Sequence, residues 1–508
     1  MKKLTAWLQW LDTHILKLLV VIYIFLIPLY PKLPLRMVNY TYIAIRVEDI
    51  FIAIMAVVFV IQFLRRKVQL DKQFVILFGL FWGAVFISFL YNAFVSHFIA
   101  LPHLGLLHSA RRIEYMIIFF IAATSVKSRK DFELYLKLMF SVLLIVCVYG
   151  FGQKFAGWPA VQTMNPEYAK GYILVLDAYA RISSTFAGHY DLAAYLLFLM
   201  PIVLGYYMKT NAKGYLILFL ITLATLILTA SRASYISYIF AIVAFLLFVR
   251  KFKLLLLIIV ATALLTPLSE NLTSRLTRTF QETKVYVDPA TGEVIVPKNL
   301  RPDELPPGDF GSNIGKIDTS KTVIVDPKAT KDAKDQIRSS ILRDATMSGT
   351  TLTPEQIEAM VEKTFGQQVP VTKYLIDISL STRFQVEWPR AINAFKKNII
   401  LGTGPSSLGE ATDGDYFRWL GEMGLLGTGL FLSIFFALIK RIWDARKLLA
   451  KEDTYFFYSF IFAFIGLFVN ASYIDVFEAS KVAYTFWLVA GLFMAGLPYY
   501  IQKQKKAK

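Results

Sequence analysis

Long apolar runs separated by short charged connections occupy most of the chain. The runs fall at about 14–30, 47–64, 73–93, 108–126, 132–152, 189–208, 214–230, 232–249, 252–268, 421–440, 455–475 and 480–500. Most reach the roughly 17–25 residues that a helix needs to cross hydrocarbon. They predict an all-α polytopic membrane protein of about twelve transmembrane helices. The run at 108–126 is the weakest, because Arg111, Arg112 and Glu114 interrupt it. From about 269 to 420 the apolar pattern stops. There Asp288-Pro289-Ala290-Thr291-Gly292, Pro306-Pro307-Gly308 and many Lys and Asp residues take over. The expected organisation is therefore nine spans over 1–268, one large extracytoplasmic loop over 269–420, and three spans with a basic tail over 421–508. Within the loop, Val285–Asp288 and Glu293–Val296 flank a turn and predict a short hairpin. Thr353-Pro354-Glu355-Gln356 has the form of a capping box and predicts a helix to about 365. Residues 300–330 read as mobile.

Composition agrees with a lipid solvent. Of 508 residues, 56% are hydrophobic and only 18% charged, with a mean hydropathy of +0.53. The net charge of +18 is read first as a topology signal. Lys2/Lys3, Arg65-Arg66-Lys67, Lys127/Arg129/Lys130, Lys209/Lys213, Arg250-Lys251/Lys253, Lys440-Arg441 and the Lys503 to Lys508 tail all fall on one side of a twelve-span arrangement. The positive-inside rule makes that side cytoplasmic, with both termini there and the protein in the cell inner (plasma) membrane. Contact with anionic membrane lipids is a second use of the charge, and nucleic acid is not an expected partner. The N-terminus carries no small-residue cleavage site of the signal-peptide kind. The single Cys147 sits inside a span, so neither an intrachain disulfide nor a cysteine metal site is expected.

Several arginines escape this accounting. Arg46, Arg111, Arg112, Arg181, Arg232 and Arg383 all map to the outer side, at or near helix ends. Arg232 is the clearest, in the tight Thr229-Ala230-Ser231-Arg232 connection between two apolar runs. Such residues can snorkel to headgroups or pair with Glu48, Asp49 and Glu114. Converging on one face, they instead suit a polyanion, since guanidinium forks match phosphate oxygens bidentately. A lipid diphosphate of the outer leaflet is the natural candidate.

Two further clusters bear on chemistry. Asp413-Gly414-Asp415-Tyr416-Phe417-Arg418-Trp419-Leu420-Gly421-Glu422 leads into the tenth run, just after Gly402-Thr403-Gly404-Pro405, a turn able to bring backbone close to a ligand. Carboxylates beside Tyr416 and Trp419 suit a sugar site, where aromatic faces stack on pyranose rings and a carboxylate takes a hydroxyl proton. The same residues can simply complement a helix N-terminus. At the start of the sixth run, His189 and Asp191 are candidates to hydrogen-bond a saccharide or each other.

Four stretches together resemble the O-antigen ligase/polymerase family of bacterial envelope glycosyltransferases. They are Arg181 to Leu196 (Arg-x-Ser-Ser-Thr-Phe followed by Asp-Leu-Ala-Ala-Tyr-Leu), Thr229 to Arg232, Arg383 to Ala391 with Leu401-Gly402-Thr403-Gly404, and Asp415 to Gly427. The resemblance implies transfer of a glycan from a polyprenyl-diphosphate-linked oligosaccharide to a hydroxyl on the outer face, the acceptor being a glycan, a lipid or a protein. It also implies an inverting, metal-independent reaction that uses no cofactor. On this mapping Arg181 and Arg232 would bind the diphosphate, with Arg383 a third contributor, while from the residues themselves His189, Asp191, Tyr416 and Trp419 remain the candidates for the sugars and Asp413, Asp415 or Glu422 for the carboxylate of catalysis. The chain departs from the family where ligases carry a His-Asn pair nine residues before the glutamate. Asp413-Gly414 stands there, which tilts the reading from lipid A core ligase toward a polymerase-like enzyme. The stretch from about 280 to 375 has no counterpart in the resemblance. Competing classes are a multi-pass transporter of an envelope precursor or small anion, and a non-catalytic relative in envelope assembly. A transporter would show half-to-half symmetry and interrupted spans, and the large loop breaks any such repeat.

Overall fold

A computed structural model of the chain describes residues 2–38, 44–161, 171–177, 180–277, 280–287, 334–335, 337–339, 341–342, 345, 352–365, 369–376, 382–409 and 412–507. It is predominantly helical. Contacts divide it into one unit of 1–273 with 387–508, and a second of 274–386.

The first unit is a helical bundle. Its helices are α1 (Lys2–Leu29), α2 (Val47–Leu64), α3 (Lys72–Phe94), α4 (Pro102–Ser125), α5 (Arg129–Phe155), α6 (His189–Thr210), α7 (Lys213–Leu228), α8 (Arg232–Phe248) and α9 (Phe252–Leu265). After α10 (Glu270–Thr277), the bundle resumes with α12 (Trp388–Lys397), α13 (Asp415–Ala445), α14 (Lys451–Ala471) and α15 (Ser480–Ala507). A helix therefore stands at each of the predicted apolar runs. Eight of the described helices are long and apolar enough to cross a membrane, or nine if the bent pair Phe252–Leu268 and Glu270–Leu276 is one span. The others fall short for physical reasons: α4 carries charged residues, and α7 and α8 run only 16 and 17 residues. The protein is an α-helical membrane protein.

Burial follows the apolar pattern unevenly. The helix α6 is buried almost all round, between α14, α7 and α8, and α15 packs along α4. By contrast α2 and α9 keep most of their apolar side chains exposed, as helices facing lipid do. Rings fill the centre: Phe435 stacks on Trp487 at 5.8 Å, and Trp419 packs edge-on against Phe431 at 4.8 Å. Two small antiparallel ribbons decorate one end of the bundle, β1 (Arg36–Met37) with β2 (Ala44–Ile45), and β3 (Pro159–Val161) with β4 (Ile173–Val175).

The helix α13 is broken at Gly424, whose φ of 60° and ψ of −164° are open only to glycine. The break frees backbone groups, and the segment 399–404 takes them up. Thr403 and Gly404 donate their N–H groups to the carbonyls of Gly421 and Glu422, at 2.8 and 2.9 Å. In return, Leu425 and Leu426 donate to Ile399 and Ile400. From α3, Ser88 donates to Leu401 O (2.6 Å) and Asn92 to Gly402 O (3.2 Å). A Cβ at Gly402 would lie 2.5 Å from the Glu422 carbonyl carbon. The Gly-Thr-Gly turn thus brings backbone close to its own helix.

The second unit contains β5 (Phe280–Val287), antiparallel to β6 (Val369–Ile376), with Phe280 opposite Ile376 and Val287 opposite Val369. Val285 pairs with Val371; the other arm of the expected hairpin, Glu293–Val296, lies outside the described residues, as does 300–330. The helix α11 (Pro354–Phe365) starts at the reciprocal cap: Thr353 N–H donates to Gln356 Oε1 at 3.0 Å, and Gln356 N–H to Thr353 Oγ1 at 3.3 Å. Arg338 forks onto Glu358 at 2.9 Å.

Candidate functional site

At one end of the bundle lies a cavity of about 250 Å³. The pieces that reach it are the connection after α1, the starts of α2, α6 and α15, the first half of α4, the lead-in and first turn of α13, and the α14–α15 connection. Four helix N-termini therefore converge, and their partial positive charges favour an anion. The volume lies just below the ~300–1,000 Å³ of clefts for drug-sized ligands, so it suits a headgroup or a sugar rather than a whole lipid.

The lining mixes the two signs of charge. Lys32, Arg46 and Arg111 form a basic wall, where Arg46 and Arg111 both act on Lys32. Burial, then the charge of Arg46, pushes Lys32 down to about 8. Asp413, Asp475 and Glu478 form an acidic wall, where Asp413 and Glu478 both act on Asp475. Burial pushes Asp475 up to about 7, against the neighbouring Arg418, whose Nε donates to Asp475 Oδ2 at 2.6 Å. Glu478 is held below the usual carboxylate range: burial opposes this, but Arg112 and Arg418 prevail. His108, Asp191 and Arg418, with Tyr115, Tyr190 and Ser480, complete the polar lining.

A frame of buried hydrogen bonds holds these walls. Arg112 donates to Glu422 at 2.8 Å and to Glu478 at 3.1 Å, joining α4, α13 and the α14–α15 connection. Arg418 also donates to the carbonyls of Gly409 (3.1 Å) and Thr412 (2.7 Å), which sets the strand carrying Asp413. Asp413 is pinned at its backbone, with its N–H on Glu387 at 2.9 Å and its carbonyl under Trp388 Nε1 at 3.0 Å. Lys481 donates to the carbonyls of Pro28 (3.2 Å), Tyr30 (2.7 Å) and Thr185 (2.7 Å), tying three segments together beneath the basic wall.

Of the residues singled out from the sequence, Arg46, Arg111, Asp191 and Asp413 line the cavity. The structure places the remaining ones outside its lining. Asp415 and Glu422 are fully buried. Asp415 Oδ2 accepts the N–H groups of Val476 and Phe477, and Glu422 accepts from Arg112 and from Ser406 N–H. Tyr416 donates to Phe468 O at 2.5 Å, and Trp419, 1% exposed, is packed among Phe431, Phe468 and Phe477. Trp419 is a core side chain, and Tyr416 is half-buried against Trp419 and Phe468. His189 is buried, with its ring tilted against that of Tyr190 at 3.9 Å. Arg181 lies over the Tyr190 ring at 5.8 Å, and Arg232 opens α8; neither is among the lining residues. Arg383 is buried in the second unit, at the start of a wide turn. The Ser183-Ser184-Thr185 motif is likewise structural. Gln153 Oε1 accepts both serine N–H groups (3.2 and 2.7 Å), and Thr185 donates to Pro28 O at 2.5 Å.

Arg112 pairs with Glu422 and Glu478 and not with Glu48, Asp49 or Glu114. Glu114 instead accepts from Tyr484 at 2.5 Å. Sequence reasoning passed over Lys32, His108, Asp475 and Glu478. Their signal was present in kind: each is a titratable residue at the outer end of an apolar run, the same criterion that selected the arginines. Among the described residues no cluster of three or more His, Cys, Asp or Glu side chains has the arrangement of a metal site.

Compared with known proteins, the chain matches no family profile and no curated protein sequence.

Proposed function

We propose that the protein is a membrane glycosyltransferase that moves a glycan from a polyprenyl diphosphate carrier to an acceptor hydroxyl outside the cytoplasm, polymerase-like or ligase-like. The observation that carries the reading is the mixed lining of the cavity, which brings the cations Lys32, Arg46 and Arg111 together with the carboxylates Asp413, Asp475 and Glu478. A diphosphate on the basic wall is a good leaving group whose developing charge the cations and the helix N-termini stabilise. The acidic wall can then receive the proton of the attacking hydroxyl.

Topology supports an outward-facing site. Lining residues sit at the start of α2, α6, α13 and α15, whereas the basic clusters Arg65, Lys209 and Arg441 sit at or just beyond the far ends of α2, α6 and α13. There they meet carboxylates: Arg65 pairs with Asp12 and Arg441 with Asp71. By the positive-inside rule that end is cytoplasmic, and α4, α7, α8 and α9 complete twelve spans. Glycan transfer needs no cofactor, and the partners are the lipid-linked donor, a glycan, lipid or protein acceptor, and the surrounding membrane. A transporter of a similar anion is the second reading, favoured by the bent pair α9–α10, since broken helices recur in transporters.

The test has two arms. Purified protein in vesicles should bind undecaprenyl diphosphate, and Arg46→Ala and Arg111→Ala should each weaken that binding at least about tenfold, an ion-pair-sized loss. A strain lacking the gene should accumulate lipid-linked glycan and lose the corresponding surface polymer. Undecaprenyl diphosphate that does not bind, together with unchanged surface glycan, would overturn the reading; flux of the intact lipid-linked glycan across the vesicle would favour the transporter.

A further inference from the structure

Asp415 and Asp475 come together behind the acidic wall. Asp415 opens α13 with no exposed surface, and its Oδ2 accepts the N–H groups of Val476 at 2.7 Å and Phe477 at 3.1 Å. Gripping those two amides draws the preceding residue, Asp475, in beside Asp415, where its charge acts on the Asp415 carboxyl. Asp475 has its own Oδ2 engaged, by Arg418 Nε at 2.6 Å. The remaining oxygen of each carboxyl, Oδ1, is buried with no hydrogen-bond partner among the described residues. Two ionised carboxylates in one dry site destabilise each other, whereas a single shared proton turns the repulsion into a hydrogen bond.

We propose that Asp415 and Asp475 hold one proton between them, and that Asp475, the member on the cavity wall, takes the proton of the acceptor hydroxyl during glycan transfer. The second half of this statement rests on the glycan-transfer reading. In that step the acceptor oxygen forms a bond to the anomeric carbon while the bond from that carbon to the diphosphate oxygen breaks. The diphosphate leaves with the electron pair, and the hydroxyl proton passes to the carboxyl pair, which then holds two. Arg418 fixes the orientation of Asp475. Asp413 from the lead-in to α13 and Glu478 from the same connection face Asp475 as further negative charges. Arg112 and His108 of α4 stand behind Glu478 and offset it.

Two measurements separate the halves. Infrared spectra of the full chain in phosphatidylcholine–phosphatidylglycerol vesicles, titrated between about pH 5 and about pH 9 around the ordinary carboxyl range, should show a protonated-carboxyl band that persists toward neutrality. That component should titrate away at lower pH in both Asp415→Asn and Asp475→Asn, because the remaining carboxyl no longer has the other to repel its ionised form. Asparagine at 415 keeps an oxygen for the two amides, so this variant retains the fold. A band unaltered in both variants overturns the pair, whatever reaction the protein performs.

For the second half, lipid-linked glycan extracted from the strain lacking the gene serves as donor. Asp475→Asn should lose transfer at least about 100-fold while binding undecaprenyl diphosphate as the parent does. Asp415→Asn should slow transfer and move the acid limb of its pH profile upward, because the shared proton no longer stabilises the ionised member of the pair. Transfer at the parental rate by Asp475→Asn overturns the proton-accepting role. Asp475→Glu preserves the ion pair to Arg418 and covers poor insertion of the asparagine variant; an acid limb unshifted in it has the same consequence. A parent chain that neither binds undecaprenyl diphosphate nor transfers glycan sinks the functional reading, and the infrared result still decides the pair.

Discussion

Arg112 and Glu422 lie 310 positions apart in the chain and meet as an ion pair of 2.8 Å, with side chains only 6% and 0% exposed. Glu422 stands about two turns past the start of α13, where a carboxylate invites a catalytic role. Its partners instead make it a tie between α4, α13 and the Ser406 turn. Breaking a buried pair by deleting one member strands the other charge, at about 3–5 kcal/mol. Arg112→Ala and Glu422→Ala should therefore lower the yield of folded protein in membranes and its melting temperature. If Glu422→Gln instead inserts normally, melts normally and yet loses all transfer, Glu422 belongs to the chemistry.

The break in α13 makes a second prediction. At Gly424 a Cβ would approach Ile400 O to 2.4 Å, and the backbone there is already glycine-only. Gly424→Ala should cost on the order of 1–3 kcal/mol from backbone strain alone, plus the overlap. Gly429, in the same helix, has open space around a Cβ, so Gly429→Ala is the matched control. Thermal melts of the two variants in detergent should separate clearly; equal melts would mean that the 399–404 segment does not close on the helix.

Trp419 offers a third. Enclosed by Phe431, Phe468 and Phe477, it is a packing residue. Removing such a ring costs about 3–5 kcal/mol in well-packed cores. Trp419→Ala should lower stability, and Trp419→Phe should restore most of it with unchanged undecaprenyl diphosphate binding. Quenching of Trp419 fluorescence by added sugar would contradict this placement.

The basic wall predicts a pH dependence. Burial and Arg46 hold Lys32 at about 8, so its ammonium is present below that pH and lost above it. An anion on this wall favours the charged form, so affinity for undecaprenyl diphosphate should fall as pH rises through about 8. Lys32→Arg, whose guanidinium stays charged, should abolish that fall while keeping affinity at neutral pH. A fall of the same size in Lys32→Arg would assign it to another group.

How much of this was readable in advance depended on how local the signal was. The apolar runs predicted a helix at each of their positions, because burial in lipid or in a bundle imposes the same apolar requirement on each turn. The cap at Thr353 and Gln356 was equally legible, since both partners lie within one turn. The candidate site was less so. Asp413 and Asp191 reach the cavity, but Asp415, Glu422 and Trp419, drawn from the same short stretch as Asp413, do not. A helix start rotates neighbouring residues by about 100° each, so adjacent positions face different surroundings, and composition does not tell those apart.

The sequence by itself determined the helical membrane architecture, the basic connections and the short list of charged residues at the outer helix ends. Only the tertiary structure decided which of those charges face one another. Lys32 joins Arg46 and Arg111, Asp475 joins Asp413, and Arg112 turns from its neighbour Glu114 to Glu422 and Glu478. The physical reason is range. Hydrophobic periodicity is written within a single helix. The partners of a buried charge come from helices hundreds of residues apart, and they are chosen by the packing that brings those helices together.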